Sequence, residues 1–287
     1  MSVHLKNRAS DGQLLEAVFL PSKGMNLISY KKGGIEVIDQ ATKALFDERF
    51  AGLGALIGPH FHHRKEADIS PVPFEERFPH IARVKAKGVK EPFSHGIARY
   101  APWHCKAKES SLLANISGND TWKGVLLSLL EGCNFAMYMD VELRENGLFI
   151  ELSIESERPS VVGVHYYYAI DNESSYVIAD AQEKYFDGKN LITIPASWKD
   201  HSKVKVPLKG ALDYGFYPKN SEGYSEVLLH TSSHKVSVRY ESHTDETSFQ
   251  LYHPEGASYV CIEPVSATFP RSPKLLSSGV NVQIEIL

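Results

Sequence analysis

The sequence predicts an all-β protein, a large antiparallel β-sandwich with few short helices, on three observations. Apolar and polar residues alternate with a period of two in several stretches, an Asn-Gly pair separates two of them, and no long stretch holds the 3.6-residue period of an amphipathic helix. The alternation is clearest at 148–155, where Ile150, Leu152 and Ile154 are separated by Glu151 and Ser153, and at 280–286, where Val280, Val282, Ile284 and Ile286 are separated by Asn281, Gln283 and Glu285. Each reads as a strand with one face on a core and the other in water. Asn146-Gly147, between 138–144 and 148–154, predicts a hairpin with a type I′ turn, which needs positive φ at both central residues. Further strands are expected at 17–20, 36–38, 161–170, 176–179, 235–240 and 258–262, with 15 Pro and 20 Gly as turn punctuation. Short helices are expected near 41–50 and 121–131, without the β–helix–β rhythm of a doubly wound sheet.

A chain of 287 residues, 43% hydrophobic and 23% charged, has enough apolar material for a large core. No Pro-, Gly- or Ser-rich linker divides it, so one domain over 1–287 is expected. With a net charge of −4 and no run of like charges, it lacks the electrostatic footprint of a nucleic-acid or membrane-surface binder. The longest apolar region, 125–139, is broken by Ser128, Glu131 and Asn134 and falls short of the ~20 residues of a membrane span. No apolar signal core follows the first residues, so a cytoplasmic location is expected and the sequons at Asn115, Asn119 and Asn172 carry no weight. Cys105, Cys133 and Cys261 form no CxxC pair and read as small core hydrophobes.

The signatures GxSxG, GxxxxGK[ST], HExxH and a GxGxxG turn after a strand are all missing. The most loop-like region, 59–102, holds five histidines and four arginines and is a functional suspect. Three islands set a titratable group among residues unlike those that fill a core. In Phe93-Ser94-His95-Gly96-Ile97-Ala98-Arg99-Tyr100-Ala101-Pro102-Trp103, Gly96 lets the backbone turn tightly and bring His95 beside a ligand. The plainer alternative is a loop histidine with one local hydrogen bond. In 161–170 the odd-numbered residues share a strand face, so His165 stands with Gly163 and Tyr167. That face is either core around a satisfied histidine or the floor of a pocket for sugar rings. In Tyr259-Val260-Cys261-Ile262-Glu263-Pro264, Glu263 ends an apolar strand and Pro264 restricts its backbone to the extended region. Partial desolvation there raises a carboxyl pKa toward the range of a general base, the alternative being a strand-end carboxylate in water.

In this order the islands resemble the aldose 1-epimerase (galactose mutarotase) family over nearly the whole chain. The resemblance runs through Pro21-Ser22-Lys23-Gly24-Met25-Asn26-Leu27, Gly58-Pro59 with Arg64, His95-Gly96-Ile97-Ala98-Arg99 with Pro102-Trp103, and the Asn146-Gly147 hairpin. It continues through His165-Tyr166-Tyr167, Asp213 with Phe216, Cys261-Ile262-Glu263-Pro264 and Ser278-Gly279. The His-Gly-x-Ala-Arg…Pro-Trp form is most similar to the branch containing glucose-6-phosphate 1-epimerases. The resemblance implies a galactose mutarotase-like supersandwich that interconverts the α and β anomers of an aldose without a metal or redox cofactor. It implies that Glu263 is the general base at the C1 hydroxyl and His165 the general acid at the ring oxygen, with His95 binding or polarising the same region. Arg64, Asp213, Arg99 and Trp103 would bind the substrate. Three positions depart from the family pattern, His63 for Asn, Tyr166 for Pro and Val265 for a polar residue, so altered substrate contacts are expected. Arg64, Arg77, Arg83, Arg99 and Lys90 offer positive charge for a phosphate, and the expected partner is a small sugar or sugar phosphate.

Two other readings compete. Gly54, His60, His62 and Glu66 match the spacing of the first metal motif of cupins, which are also β-sandwiches, although Pro73 replaces the closing glycine. A carbohydrate-binding module without catalysis is the other, disfavoured because binding alone does not call for a paired acid and base.

Overall fold

Strand alternation is realised as two large sheets, and every strand pairing in them is antiparallel. The computed structural model describes residues 1–171, 174–219 and 223–287; the Asn172 sequon lies outside them. The first sheet runs, in spatial order, Val3–Arg8, Leu14–Leu20, Asn26–Lys32, Gly54–Ile57, Gly163–Ala169, Tyr259–Val265, Ser248–His253, Leu212–Pro218, Ala181–Phe186 and Leu191–Thr193, with Ile35–Glu36 on the side of Asn26–Lys32. The second runs Lys199–Asp200, Lys203–Pro207, Tyr176–Ala179, Ser225–His230, Lys235–Ser242, Ser277–Ile286, Gly147–Ser156, Phe135–Arg144, Ser111–Ser117 and His104–Ala107. Their inner faces enclose a core from Leu5 to Ile286, with Val164, Tyr166, Tyr168 and Ile262 from the first sheet meeting Met139, Val141, Ile150 and Ile284 from the second. The Tyr30 hydroxyl donates to the Ile284 carbonyl across the sandwich at 3.0 Å. Among the described residues no helix is long and apolar enough to cross a membrane.

Alternation is strictest where one face meets water. Phe135–Arg144 alternates buried and solvent-facing residues along most of its length, and its register with Gly147–Ser156 keeps the apolar residues of both strands inward. The hairpin differs from the type I′ turn the sequence suggests. Arg144 pairs with Gly147, so the two loop residues are Glu145 and Asn146, and neither has positive φ. Gly147 itself has φ 126°, and a Cβ there would sit 2.4 Å from the Ile284 carbonyl. Its glycine serves the approach of the neighbouring strand rather than a turn centre.

The helices are short. Lys43–Arg49 fills the expected place, but only Leu127–Glu131 of 121–131 is helical, preceded by a two-stranded hairpin, Thr121–Trp122 with Val125–Leu126. The loop-like region carries an additional helix, Pro79–Ala86, with proline in its first turn and Arg83 and Lys85 in its last. It buries only His80 and Ile81, too few apolar positions to register as a helical period.

Candidate active site

Position along a strand decides which face a side chain takes, and pairing decides which side chains meet. On Gly163–Ala169, Tyr166 and Tyr168 turn into the core, which sends His165 and Tyr167 to the outer face of the first sheet. Register then places Cys261 opposite Tyr167, Tyr252 opposite Cys261 and Asp213 opposite Tyr252. The next row carries Gln250 opposite Glu263, with Gly215 opposite Gln250. His165 and Glu263 therefore share a face on neighbouring strands, and His165 Nε2 lies 3.2 Å from Glu263 Oε1. Tyr167 stacks on the His165 ring at 5.0 Å with planes 15° apart.

Glu263 is buried within its strand instead of standing at the sheet mouth, because the strand continues through Pro264 to Val265. Pro264 has no N–H to donate, and pairing with the 163–169 strand is interrupted beside it, between Gly163↔Val265 and Tyr166↔Ile262.

The third group arrives from a loop. His95 has φ 64°, and Gly96 follows at φ 89°, where a Cβ would lie 2.0 Å from the Gly58 carbonyl. The loop is fixed against 58–62 by His95 N–H to the His62 carbonyl and Gly58 N–H to the His95 carbonyl, both 2.8 Å. His62 N–H donates to His95 Nδ1 at 3.3 Å, so the neutral ring carries its proton on Nε2. The His95 ring meets His165 edge-on at 4.9 Å.

Two buried carboxylates brace this loop, and sequence reasoning missed both. Glu91 accepts from Arg64 Nε at 2.9 Å, from Arg64 Nη2 at 2.7 Å and from the Phe93 amide at 2.9 Å. Glu131 accepts from the Ile97 amide at 3.0 Å and lies 2.6 Å from His60 Nδ1. Burial pushes the Glu91 carboxyl up, but the Arg64 hydrogen bond, the charges of His60 and Arg64 and the Phe93 amide outweigh it and hold the group at about 2. Nothing local in the sequence marks these contacts, since Glu91 and Glu131 lie 27 and 67 residues beyond Arg64.

The remaining expected residues divide. Arg99 is buried near the pair; its Nε donates to the Leu56 carbonyl at 3.1 Å, while Nη2 is buried without a hydrogen-bond partner. Asp213 is exposed on the same face, two strands from Glu263. Arg64 instead spends its guanidinium on Glu91 and the Glu131 carbonyl. Trp103 belongs to the core, its indole N–H donating to the Ala98 carbonyl at 2.9 Å. The positive charges expected at a phosphate also disperse, as Lys90 pairs with Glu66 on the surface and Arg77 packs on Phe74. A different set, Lys65, Arg158 and Arg271 with His63 and Arg64, lines a cavity of about 340 Å³. Arg271 also lines a cavity of about 140 Å³ along the Gly215–Gln250 row.

The cupin spacing assembles no ligand set, because His60 pairs with Glu131, His62 stacks on His63 at 4.0 Å and Glu66 is exposed with Lys90. The cysteines are not all core filler. Cys105 and Cys133 are half-buried, and the buried Cys261 faces the site.

Electrostatics follow from depth. Burial raises the Glu263 carboxyl to about 8, with Asp213 adding to the rise and Arg99 and Arg271 opposing it. Burial drives the His165 ring well below its usual value, helped by the Arg99 charge, and acts likewise on His95. At neutral pH the His165–Glu263 pair thus shares one proton, a contact between neutral groups more than an ion pair.

The chain has the galactose mutarotase-like fold. A galactose mutarotase-like protein from Lactobacillus casei superposes with TM-score 0.70 at 12% identity, covering 100% of each chain. The Slr1438 protein from Synechocystis sp. PCC 6803 gives 0.68 at 18% identity over 99% of this chain and 96% of its own. The GalM/aldose epimerase homologue from C. elegans gives 0.66 at 13% identity over 99% of each. No protein-family model matches the chain, and no curated protein sequence does.

Proposed function

We propose that the protein, one catalytic domain over 1–287, is an aldose 1-epimerase of the cytoplasm, taking a hexose or hexose 6-phosphate. The observation that carries this reading is the buried pair of Glu263 and His165 at 3.2 Å, with His95 edge-on to His165. Ring opening removes a proton from O1 and delivers one to O5; the open aldehyde then rotates about C1–C2 and closes on its other face. In the tautomer with the proton on His165, Glu263 takes the O1 proton as His165 gives its own to O5. The pair ends with the same single proton, now on the carboxyl, so closure can run the steps backward. Each positioned transfer typically contributes about 10²–10⁴-fold. His95 Nε2–H and the free Arg99 Nη2 are donors for sugar oxygens, Asp213 is an acceptor, and Tyr167, stacked on His165, holds that ring in place. A bare binding module has no need of the shared proton.

Polarimetry of a freshly dissolved pure anomer tests the reading: catalytic amounts of protein should speed the approach to equilibrium, and saturable sugar binding without acceleration would reduce it to a binding module. The basic lining at Lys65, Arg158 and Arg271 supports the phosphorylated substrate. Arg271→Ala should raise KM for a hexose 6-phosphate by about 10–100-fold, the worth of a charge-assisted hydrogen bond, with little change for the free hexose. Equal effects on both substrates would remove the phosphate subsite.

A further inference from the structure

The acid–base pair has a third neighbour that the epimerase mechanism does not use. Cys261 precedes Glu263 by two residues, so both side chains leave the strand on the same face, and Tyr167 across the pairing fixes their level beside His165. One ligand atom from each of His165, Cys261 and Glu263 can be chosen so that all lie within 4.8 Å of one another, and all three residues are buried. Among the described residues this is the one group of three or more His, Cys, Asp and Glu side chains with such spacing. Three ligands at about 2.0–2.3 Å from a zinc ion stand roughly 3.3–3.8 Å apart in tetrahedral geometry. The 3.2 Å His165–Glu263 separation is close to that range, and the thiol needs a shift of at most about 1.5 Å, within reach of a side-chain rotation.

The donor chemistry fits a thiophilic divalent cation. The set combines one imidazole, one thiol and one carboxylate, the mixture that zinc accepts and that magnesium and calcium do not. Cys261 Sγ makes no hydrogen bond among the described residues, and His165 Nδ1 is buried without a partner, so coordination through Nε2 breaks no existing ring contact but the one to Glu263. Binding as a thiolate sends the Cys261 proton to solvent, and the carboxyl proton leaves as well; the two anions then balance the dication. Arg99 opposes the cation, whereas Asp39 and Asp213, which act on Cys261 and Glu263, favour it.

We propose that His165, Cys261 and Glu263 form a binding site for a divalent cation of the zinc class, which occupies the acid and the base together and so switches off turnover. The inhibitory consequence rests on the epimerase reading; the binding does not. Tag-free, chelator-treated protein is dialysed against zinc chloride and its metal content measured, and mutarotation is followed across the same zinc range. One zinc per chain is expected, with rates falling in step with occupancy. Cys261→Ala should mutarotate within about twofold of the wild type but hold zinc at least about 100-fold more weakly, since even outer-shell changes cost 10–100-fold. A Cys261→Ala protein that binds zinc and loses activity as the wild type does would overturn the proposal, as would a wild-type chain with no saturable site. Stoichiometric, Cys261-dependent binding by a protein that never accelerates mutarotation would uphold the site and defeat the epimerase reading instead.

Discussion

Glu263→Gln should lower the mutarotation rate by about 10²–10⁴-fold, because the amide can neither take the O1 proton nor hold the proton that the pair shares. The same substitution should leave the protein at least as stable at pH 7. A carboxyl raised from 4.5 to about 8 on folding stabilises the native state fully only below pH 4.5, and that contribution is lost as pH rises through 8. At pH 7 the native state has had to take up a proton, at a cost of about 3 kcal/mol, which glutamine removes while leaving amide hydrogens worth about 1–2 kcal/mol unpaired. Thermal unfolding of both proteins at pH 5 and 7 checks the point: the advantage of the variant should shrink toward pH 5. A Gln variant with wild-type turnover would take Glu263 out of the mechanism, and one that melts far lower at pH 7 would mean that the carboxylate is structurally required.

Glu91→Gln is expected to destabilise the fold by about 3–5 kcal/mol, the loss typical when one partner of a buried ion pair is removed and the other charge is stranded. Here the stranded group is Arg64, whose guanidinium lies against both Glu91 oxygens. Glutamine keeps one oxygen for the Phe93 amide and Arg64 Nη2 but sets an NH2 against Arg64 Nε and the Arg64 amide, donor against donor, and this loosens a loop that holds His95 at positive φ. Turnover of the surviving folded protein should therefore fall as well. With the Glu91 carboxyl held at about 2, its stabilisation is present above pH 4.5 and is lost as pH falls through 2. Denaturant unfolding at pH 7 measures the difference, and a loss below about 1 kcal/mol would show that the network is not what secures the loop.

What could be seen in the sequence was whatever depends on local alternation. Strand 176–179 matches Tyr176–Ala179, and the placing of His165 with Tyr167 on one face follows from period two alone. The sequence understates the burial of Glu263, because an X-Pro step reads as a strand end, while the sheet tolerates Pro264 through a gap in pairing that only the neighbouring strand reveals. Arg64 and Trp103 looked like substrate contacts because their chemistry suits a sugar, but long-range partners, Glu91 for one and the Ala98 carbonyl with the core for the other, engage them first. The basic cavity at Lys65, Arg158 and Arg271 joins three segments far apart in the chain, and no spacing rule connects them.

The account turns on one proton shared by Glu263 and His165, and the pH dependence of kcat/KM for an uncharged hexose tests it most directly. Above about 8 the pair loses that proton and cannot protonate O5; at low pH His165 also binds one, and no base remains for O1. The expected profile is a bell with its alkaline limb near 8 and its acid limb well below 6.5. A rate that keeps climbing through pH 9, or a profile flat from 5 to 9 after the spontaneous reaction is subtracted, would contradict it.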